Sequence, residues 1–160
     1  MAKYDSAEDT KKHIALVRKI ILIVIQLLSV RASQHDYTKL QKPEKPYFDK
    51  FTPKLKEITF GSNEYKKCLK QLQVALKHHY KNNSHHPQYY KNGISGMNLI
   101  DIVEMFCDWL AATKRMKDKG DIKKSIKINK KRFKYSDDLE SIFNNTADLL
   151  EKELSYFIGL

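Results

Sequence analysis

The sequence predicts an all-α fold, a compact single-domain bundle of five to six helices. Apolar residues recur at intervals of three and four positions over long segments, as at Leu69, Leu72 and Leu76, which is the spacing of a helix face. The 160 residues include only 5 glycines and 4 prolines, so helices can run far without a break. A 41% share of hydrophobic residues supplies one core. We therefore expect residues 1–160 to form a single domain.

The first predicted helix covers residues 7–32 and begins with Ser6, followed by Asp9 three positions later. Its centre, IILIVIQLLSV, is apolar nearly all round, a pattern typical of a bundle's core helix or of a membrane span. The uninterrupted apolar run is shorter than the ~20 residues that a span requires, and Arg18 and Lys19 precede it. The pattern therefore favours a core helix and no membrane contact.

Residues 40–60 contain Pro43, Pro46 and Pro53, which predict a short helix interrupted by turns. Ser62 is a suitable cap for a helix over 63–81, and the composition of 82–96 predicts a loop. A helix over 97–116 follows. Its core-facing residues are expected to include Leu99, Phe106 and Leu110, while the spacing of Asp101, Glu104 and Asp108 places them on a different face.

A basic segment, IKKSIKINKKRFKY, predicts a short helix from Ile122, and Ser136 is a suitable cap for the last helix. Ile142, Phe143 and Leu149 in that last helix are expected to close the core.

The charge of the chain predicts an anionic partner. Thirty Lys and Arg against 19 Asp and Glu give a formal net charge of +11, which attracts nucleotides, other phosphorylated small molecules and nucleic acid. A lysine-rich composition without any binding role produces the same total. The two cysteines, Cys68 and Cys107, fall in predicted helices and are expected to be buried, unpaired thiols in a cytoplasmic protein.

Histidines and carboxylates along the chain suggest a metal centre. Such a centre needs nitrogen and oxygen ligands from several elements, and the chain supplies enough for one or two divalent ions, of Mn, Fe, Mg or Zn. Each histidine could instead be a hydrogen-bonded core residue, and at most one of His78 and His79 is expected to face the site. A carboxylate at Asp108, within an apolar helix, is costly to bury unless it is paired. The candidate ligands are His13, His35, Asp36, His79, His85, His86 and Asp108.

The segment HDYTK at 35–39 resembles the HD signature of the HD-domain metal-dependent phosphohydrolases, and the candidate ligands follow in that superfamily's order. The chain is more closely similar to a family of short, uncharacterised bacterial and viral proteins that share the patterns HD.SK, N.HHP.YY and EM..DW. The resemblance to the HD superfamily implies an HD-like helical domain, and the similarity to the short proteins implies a location in the host cytoplasm if the protein is viral. The resemblance to the HD superfamily also implies a catalytic role for Asp36 and Lys39, although Thr38 replaces the serine or glycine that usually precedes the lysine.

Together these features predict a metal-dependent phosphohydrolase acting on a nucleotide or another phosphate ester. Asn83 and Glu104 are expected to orient the histidine ligands, and Lys39, Tyr89 and Tyr90 to bind the substrate. The alternative is a non-catalytic nucleotide or nucleic-acid binding protein with a structural metal site. It would use the basic segment 123–134 and the two tyrosines as stacking platforms.

Overall fold

The computed structural model describes residues 4–59, 61–115 and 120–158, and over these residues the chain is all-α, with seven α-helices and no strand. The prediction of the fold class is confirmed. The chain divides into two compact units, Met1–His35 and Asp36–Leu160. The helices are α1 (Ala7–Gln34), α2 (Glu44–Glu57), α3 (Asn63–Gln71), α4 (Gln73–Asn82), α5 (Leu99–Lys114), α6 (Ile122–Phe133) and α7 (Asp137–Ile158).

The first unit consists of α1, and the prediction that this helix forms the core is wrong. None of its residues is buried, and the four consecutive side chains from Ile20 to Ile23 are each more than half exposed. By length and composition alone, α1 is also the one described helix that could cross a membrane, a test that core helices and signal sequences pass as well. The expectation of no membrane contact stays a prediction.

The core of the second unit forms two clusters. In the larger one, α5, α6 and α7 pack together, and the rings of Phe106 and Phe143 stack with centroids 5.2 Å apart. Tyr135 closes this cluster by donating its hydroxyl hydrogen to the carbonyl oxygen of Ile126 at 2.6 Å. The smaller cluster joins α2, α3 and α4 around the fully buried Leu72.

The proline-rich segment forms a longer helix than predicted. Pro46 is the third residue of α2, where a backbone N–H would lack a partner within the helix in any case. Pro53 lies inside α2, where it removes one helical hydrogen bond, yet the helix continues to Glu57. The buried Phe51 packs this helix against α3 and α4, so tertiary contacts outweigh the local cost.

Three other details differ from prediction. The segment 63–81 contains a break at Leu72, which separates α3 from α4, although Ser62 caps α3 as expected by accepting a hydrogen bond from the Tyr65 N–H at 3.1 Å. Both cysteines are free, but only Cys68 is buried while Cys107 is exposed. Three side chains predicted to lie in the core are more than half exposed instead, namely Leu99, Ile142 and Leu149.

Candidate metal centre

Four of the predicted ligands in the second unit meet at one point. Ligand atoms of Asp36, His79, His85 and His86 all lie within 4.8 Å of one another. The Nε2 atom of His79 is 2.9 Å from Nε2 of His86 and 3.1 Å from Oδ1 of Asp36, and Nε2 of His85 is 3.6 Å from the same oxygen. His79 and His85 are each 1% exposed, so these rings are shielded from bulk water.

Asp36 enters the cluster from a tight turn. Its backbone has φ 57°, in the left-handed region, which aspartate tolerates better than most residues. The 3-10 turn Tyr37–Leu40 follows, and the Lys39 N–H donates to the carbonyl oxygen of Asp36 at 2.8 Å. The Lys39 ammonium also pairs with Oδ2 of Asp36, which leaves Oδ1 directed at the histidines.

The histidines come from the end of α4 and from the loop behind it. This loop is tied to α5 by Asp101, which is fully buried. The carboxylate of Asp101 accepts hydrogen bonds from the Ser84 hydroxyl at 2.8 Å, the Tyr90 hydroxyl at 2.6 Å and the Asn98 N–H at 3.2 Å. Because Ser84 immediately precedes His85, these bonds fix the part of the loop that carries the histidine pair.

The hydrogen bonds of His79 determine which of its nitrogens carries the proton. Nδ1 lies 2.9 Å from Oε2 of Glu44, 3.1 Å from the Thr38 hydroxyl oxygen and 3.1 Å from Nδ2 of Asn83, and the Thr38 hydroxyl donates to Oε2 of Glu44 at 3.1 Å. Asn83 has better acceptors for both amide hydrogens, the Thr38 hydroxyl at 2.9 Å and the His79 carbonyl at 2.8 Å. Nδ1 therefore donates to the Glu44 carboxylate, and in the neutral ring Nε2 presents a lone pair to the cluster.

His85 is also held by a hydrogen bond from its Nδ1 atom to a carboxylate. Its Nδ1 lies 2.9 Å from Oε1 of Glu104, a largely buried carboxylate on α5. Since a carboxylate only accepts, Nδ1 carries the proton, and in the neutral ring Nε2 presents its lone pair. A carboxylate behind each of two imidazoles is the usual arrangement around histidines that bind metal ions.

The atoms that meet in the cluster are therefore mostly acceptors. A proton on Nε2 of His86 would satisfy the contact with His79, but it would leave the lone pair of His79 facing Oδ1 of Asp36 at 3.1 Å. A shared cation satisfies all of these contacts. Nitrogen and oxygen ligands about 2.0–2.2 Å from one cation lie about 2.8–3.6 Å from each other in octahedral or tetrahedral geometry, a range that includes the observed 2.9, 3.1 and 3.6 Å.

The protonation state of His86 agrees with this chemistry. Burial, assisted by the neighbouring His85 and His79, lowers the pKa of the His86 imidazole to about 2. The ring is therefore neutral near pH 7, the form in which a histidine binds a metal ion.

The other predicted ligands lie in different positions. A carboxylate oxygen of Asp108 is within 4.8 Å of a ring nitrogen of His85. His35 caps α1 at its C-terminal end and directly precedes Asp36 in the chain. His13 is exposed on the same continuous helix, about 33 Å along the axis from His35 at 1.5 Å per residue, so one chain cannot bring these two to a common ion.

The other predicted site residues lie in different environments. Only His79 of the two adjacent histidines reaches the cluster, as the sequence suggested, while His78 contacts Glu44. The Tyr90 hydroxyl is engaged with Asp101 and holds the loop. Tyr89 is 47% exposed, and its role in binding a substrate stays a prediction.

Two carboxylates of this site were missed as structural partners. Glu44 lies 34 positions before His78 in a proline-rich segment, and nothing in the local pattern links it to a histidine. The sequence places Asp101 on one face of α5 without indicating a role, although its place three residues after Asn98 is the spacing of a capping box.

The chain matches a known protein family. A family of unknown function, DUF5662, matches residues 2–155. The chain belongs to this family. The match covers the segments that carry Asp36, the histidines and Asp108. No curated protein and no solved structure matches the chain.

Proposed function

We propose that this DUF5662 protein is a metal-dependent phosphohydrolase of the HD type that acts on a nucleotide or another phosphate ester. The observation that carries the proposal is the convergence of Oδ1 of Asp36 with Nε2 atoms of His79, His85 and His86. Glu44 and Glu104, behind two of these rings, support a cation site because they direct lone pairs into the cluster.

The charge around the cluster also favours a cation. Asp36, Glu44, Glu104 and Asp108 surround the imidazoles, and the Lys39 ammonium pairs with Asp36. Buried carboxylates are costly without a compensating charge. One or two divalent ions would supply it.

The ligands favour some metals over others. Three imidazole nitrogens and one carboxylate oxygen suit Zn, Fe or Mn better than Mg, which prefers oxygen ligands. Asp36, His79, His85 and His86 would hold one ion, and Asp108 beside His85 would contribute to the same ion or to a second one. His35 remains a predicted ligand.

A divalent ion at this position would lower the pKa of a bound water molecule and place positive charge beside a phosphoryl oxygen. The chain itself would bind and orient the phosphate. The Lys39 side chain is 28% exposed beside Asp36, so its ammonium can reach a ligand while it stays at the cluster. Its charge complements a phosphate oxygen, which fits the catalytic and substrate-binding roles predicted for this lysine.

Turnover of a broad panel of nucleotides and phosphomonoesters, with and without added Mn, Fe or Zn, tests the proposal. We expect metal-dependent hydrolysis of at least one class, and loss of that activity in Asp36→Asn. The matched control is Asp49→Asn, which changes an exposed carboxylate that pairs with Lys45 on α2. Full metal occupancy without turnover of any substrate would contradict the enzymatic part of the proposal.

A second candidate, a binding protein for nucleic acid, is supported by α6. Lys124, Lys127 and Lys131 are exposed on one face of this helix and make no ion pair with any residue that the structure describes. These lysines would neutralise several phosphates of a bound polynucleotide, so log affinity would fall with log salt by about 0.9 per phosphate on a duplex. Tight, steeply salt-dependent binding without nucleotide turnover would favour this candidate.

A further inference from the structure

Glu44 is the most deeply buried acidic group behind the cluster. It is the first residue of α2, and its side chain is 0% exposed. Each of its two oxygens contacts a different histidine: Oε1 lies 2.7 Å from Nδ1 of His78 and Oε2 lies 2.9 Å from Nδ1 of His79. The Thr38 hydroxyl donates to Oε2 at 3.1 Å. One buried carboxylate thus joins two consecutive residues of α4.

We propose that Glu44 is a positioning residue that keeps the proton of His79 on Nδ1, and that His78 serves to hold Glu44 in place. This inference deepens the proposed metal site and rests on it for its function. Neither residue touches the cation in this account. Glu44 acts through His79, and His78 acts through Glu44.

The reason lies on the opposite side of the His79 ring. Nε2 is 3.1 Å from Oδ1 of Asp36, which is hydrogen-bonding distance. If the proton of the neutral ring moved to Nε2, His79 would donate to Asp36 and both atoms would be lost as ligands. By accepting the proton's hydrogen bond at Nδ1, Glu44 prevents this competing bond and keeps both atoms available for a cation.

His78 explains how the carboxylate stays in position. A carboxylate that is 0% exposed needs donors on both oxygens, and Oε1 obtains one from His78. The His78 side chain is 39% exposed, so it approaches Glu44 from the protein surface while His79 approaches from the cluster. Two adjacent histidines therefore have separate tasks, one toward the cluster and one toward the carboxylate that orients it.

Nitrogen-detected NMR of the metal-free, wild-type protein at mildly alkaline pH tests the first part directly. We expect the neutral rings of His78 and His79 both to carry their proton on Nδ1. A His79 ring protonated on Nε2 would overturn the proposal, whatever the protein does with metal. This measurement needs no substitution, so it remains decisive if a variant at the buried position does not fold.

Zn²⁺ affinity, measured by competition with a chromophoric chelator, tests the consequence. We expect Glu44→Gln to weaken binding by about 10- to 100-fold, and Glu44→Asp, which keeps the carboxylate, to weaken it less. His78→Gln should give a smaller loss than Glu44→Gln. The control is Glu64→Gln, the same chemical change at an exposed position in the first turn of α3, which should leave the affinity unchanged.

The outcomes separate this inference from the proposed function. Wild-type protein that binds Zn²⁺ with an affinity unchanged by Glu44→Gln would overturn the positioning role while the metal site stands. Wild-type protein that binds no metal, with the His79 proton on Nδ1 and displaced to Nε2 by Glu44→Gln, would uphold the effect of Glu44 on the ring and refute the metal site.

Discussion

Oδ1 of Asp36 lies 3.1 Å from Nε2 of His79. In the neutral ring the proton is on Nδ1, which donates it to Glu44, so Nε2 has no proton to donate to Asp36. Two acceptors at this separation repel each other unless a cation lies between them. The pair thus links a sequence signature, the aspartate of HDYTK, to a histidine 43 positions later.

Glu104→Gln should weaken metal binding because Glu104 holds His85 through Nδ1 at 2.9 Å. Loss of such a supporting carboxylate typically costs about 10- to 100-fold in metal affinity. Competition with a chelator measures the change, and Glu64→Gln again provides the control. Equal affinities of Glu104→Gln and wild type would show that His85 does not need this carboxylate to bind the ion.

Asn98 caps α5, and its side chain accepts a hydrogen bond from the Asp101 N–H at 3.0 Å. Asn98→Ala should remove this cap and destabilise the fold. The expected loss is about 1 kcal/mol in the free energy of unfolding, measured with urea. Asn145→Ala changes an exposed asparagine inside α7 and should be neutral or slightly stabilising. If both variants lose the same stability, the cap makes no specific contribution.

Tyr65→Phe should make the protein less sensitive to alkaline pH. Burial raises the pKa of the Tyr65 hydroxyl from 10.0 to about 12. Between pH 10 and 12 the unfolded chain loses this proton while the folded protein keeps it, so the free energy of unfolding falls as pH rises through this window. Below pH 10 both states hold the proton and the contribution is complete.

Urea unfolding of wild type and Tyr65→Phe at several pH values checks this expectation. The difference between their stabilities should change between pH 10 and 12, with the wild type losing more. A difference that is constant across this range would show that the Tyr65 hydroxyl ionises equally easily in the folded and unfolded states.

Ile23→Ala should have little effect on stability, because Ile23 on α1 is 57% exposed. The matched change in the core, Ile126→Ala at a position that is 0% exposed, should cost about 2–5 kcal/mol. The free energies of unfolding from urea titrations compare the two directly. A loss of several kcal/mol in Ile23→Ala would show that α1 is buried in solution, as the sequence pattern first suggested.

The sequence predicts the helices well because their signals are local. Ser62 and Ser136 cap α3 and α7 at the predicted positions, since a cap depends on the three residues that follow it. Whether a helix is buried depends on residues that are distant in the sequence. The apolar centre of α1 predicts burial, yet Ile20 and Ile23 are exposed. The composition of a helix shows that its surface favours burial, but it does not show whether another element covers that surface.

The candidate site shows the same division. Asp36, His79, His85 and His86 could be listed from the sequence because HD and HHP are distinctive patterns, and the structure places them together. Glu44 could not, because its link to His79 depends on how α2 packs against α4. A tertiary contact of this kind leaves no periodic pattern in the chain.

Metal titration of the chelator-treated wild-type protein, followed by elemental analysis after dialysis, tests the metal site most directly. We predict at least one tightly bound Zn²⁺ or Mn²⁺ per chain, and loss of that ion in Asp36→Asn. The variant should fold normally, since asparagine also tolerates the left-handed φ of 57° at this position. Wild-type protein that retains no metal, or an Asp36→Asn variant that retains as much as the wild type, would contradict the account.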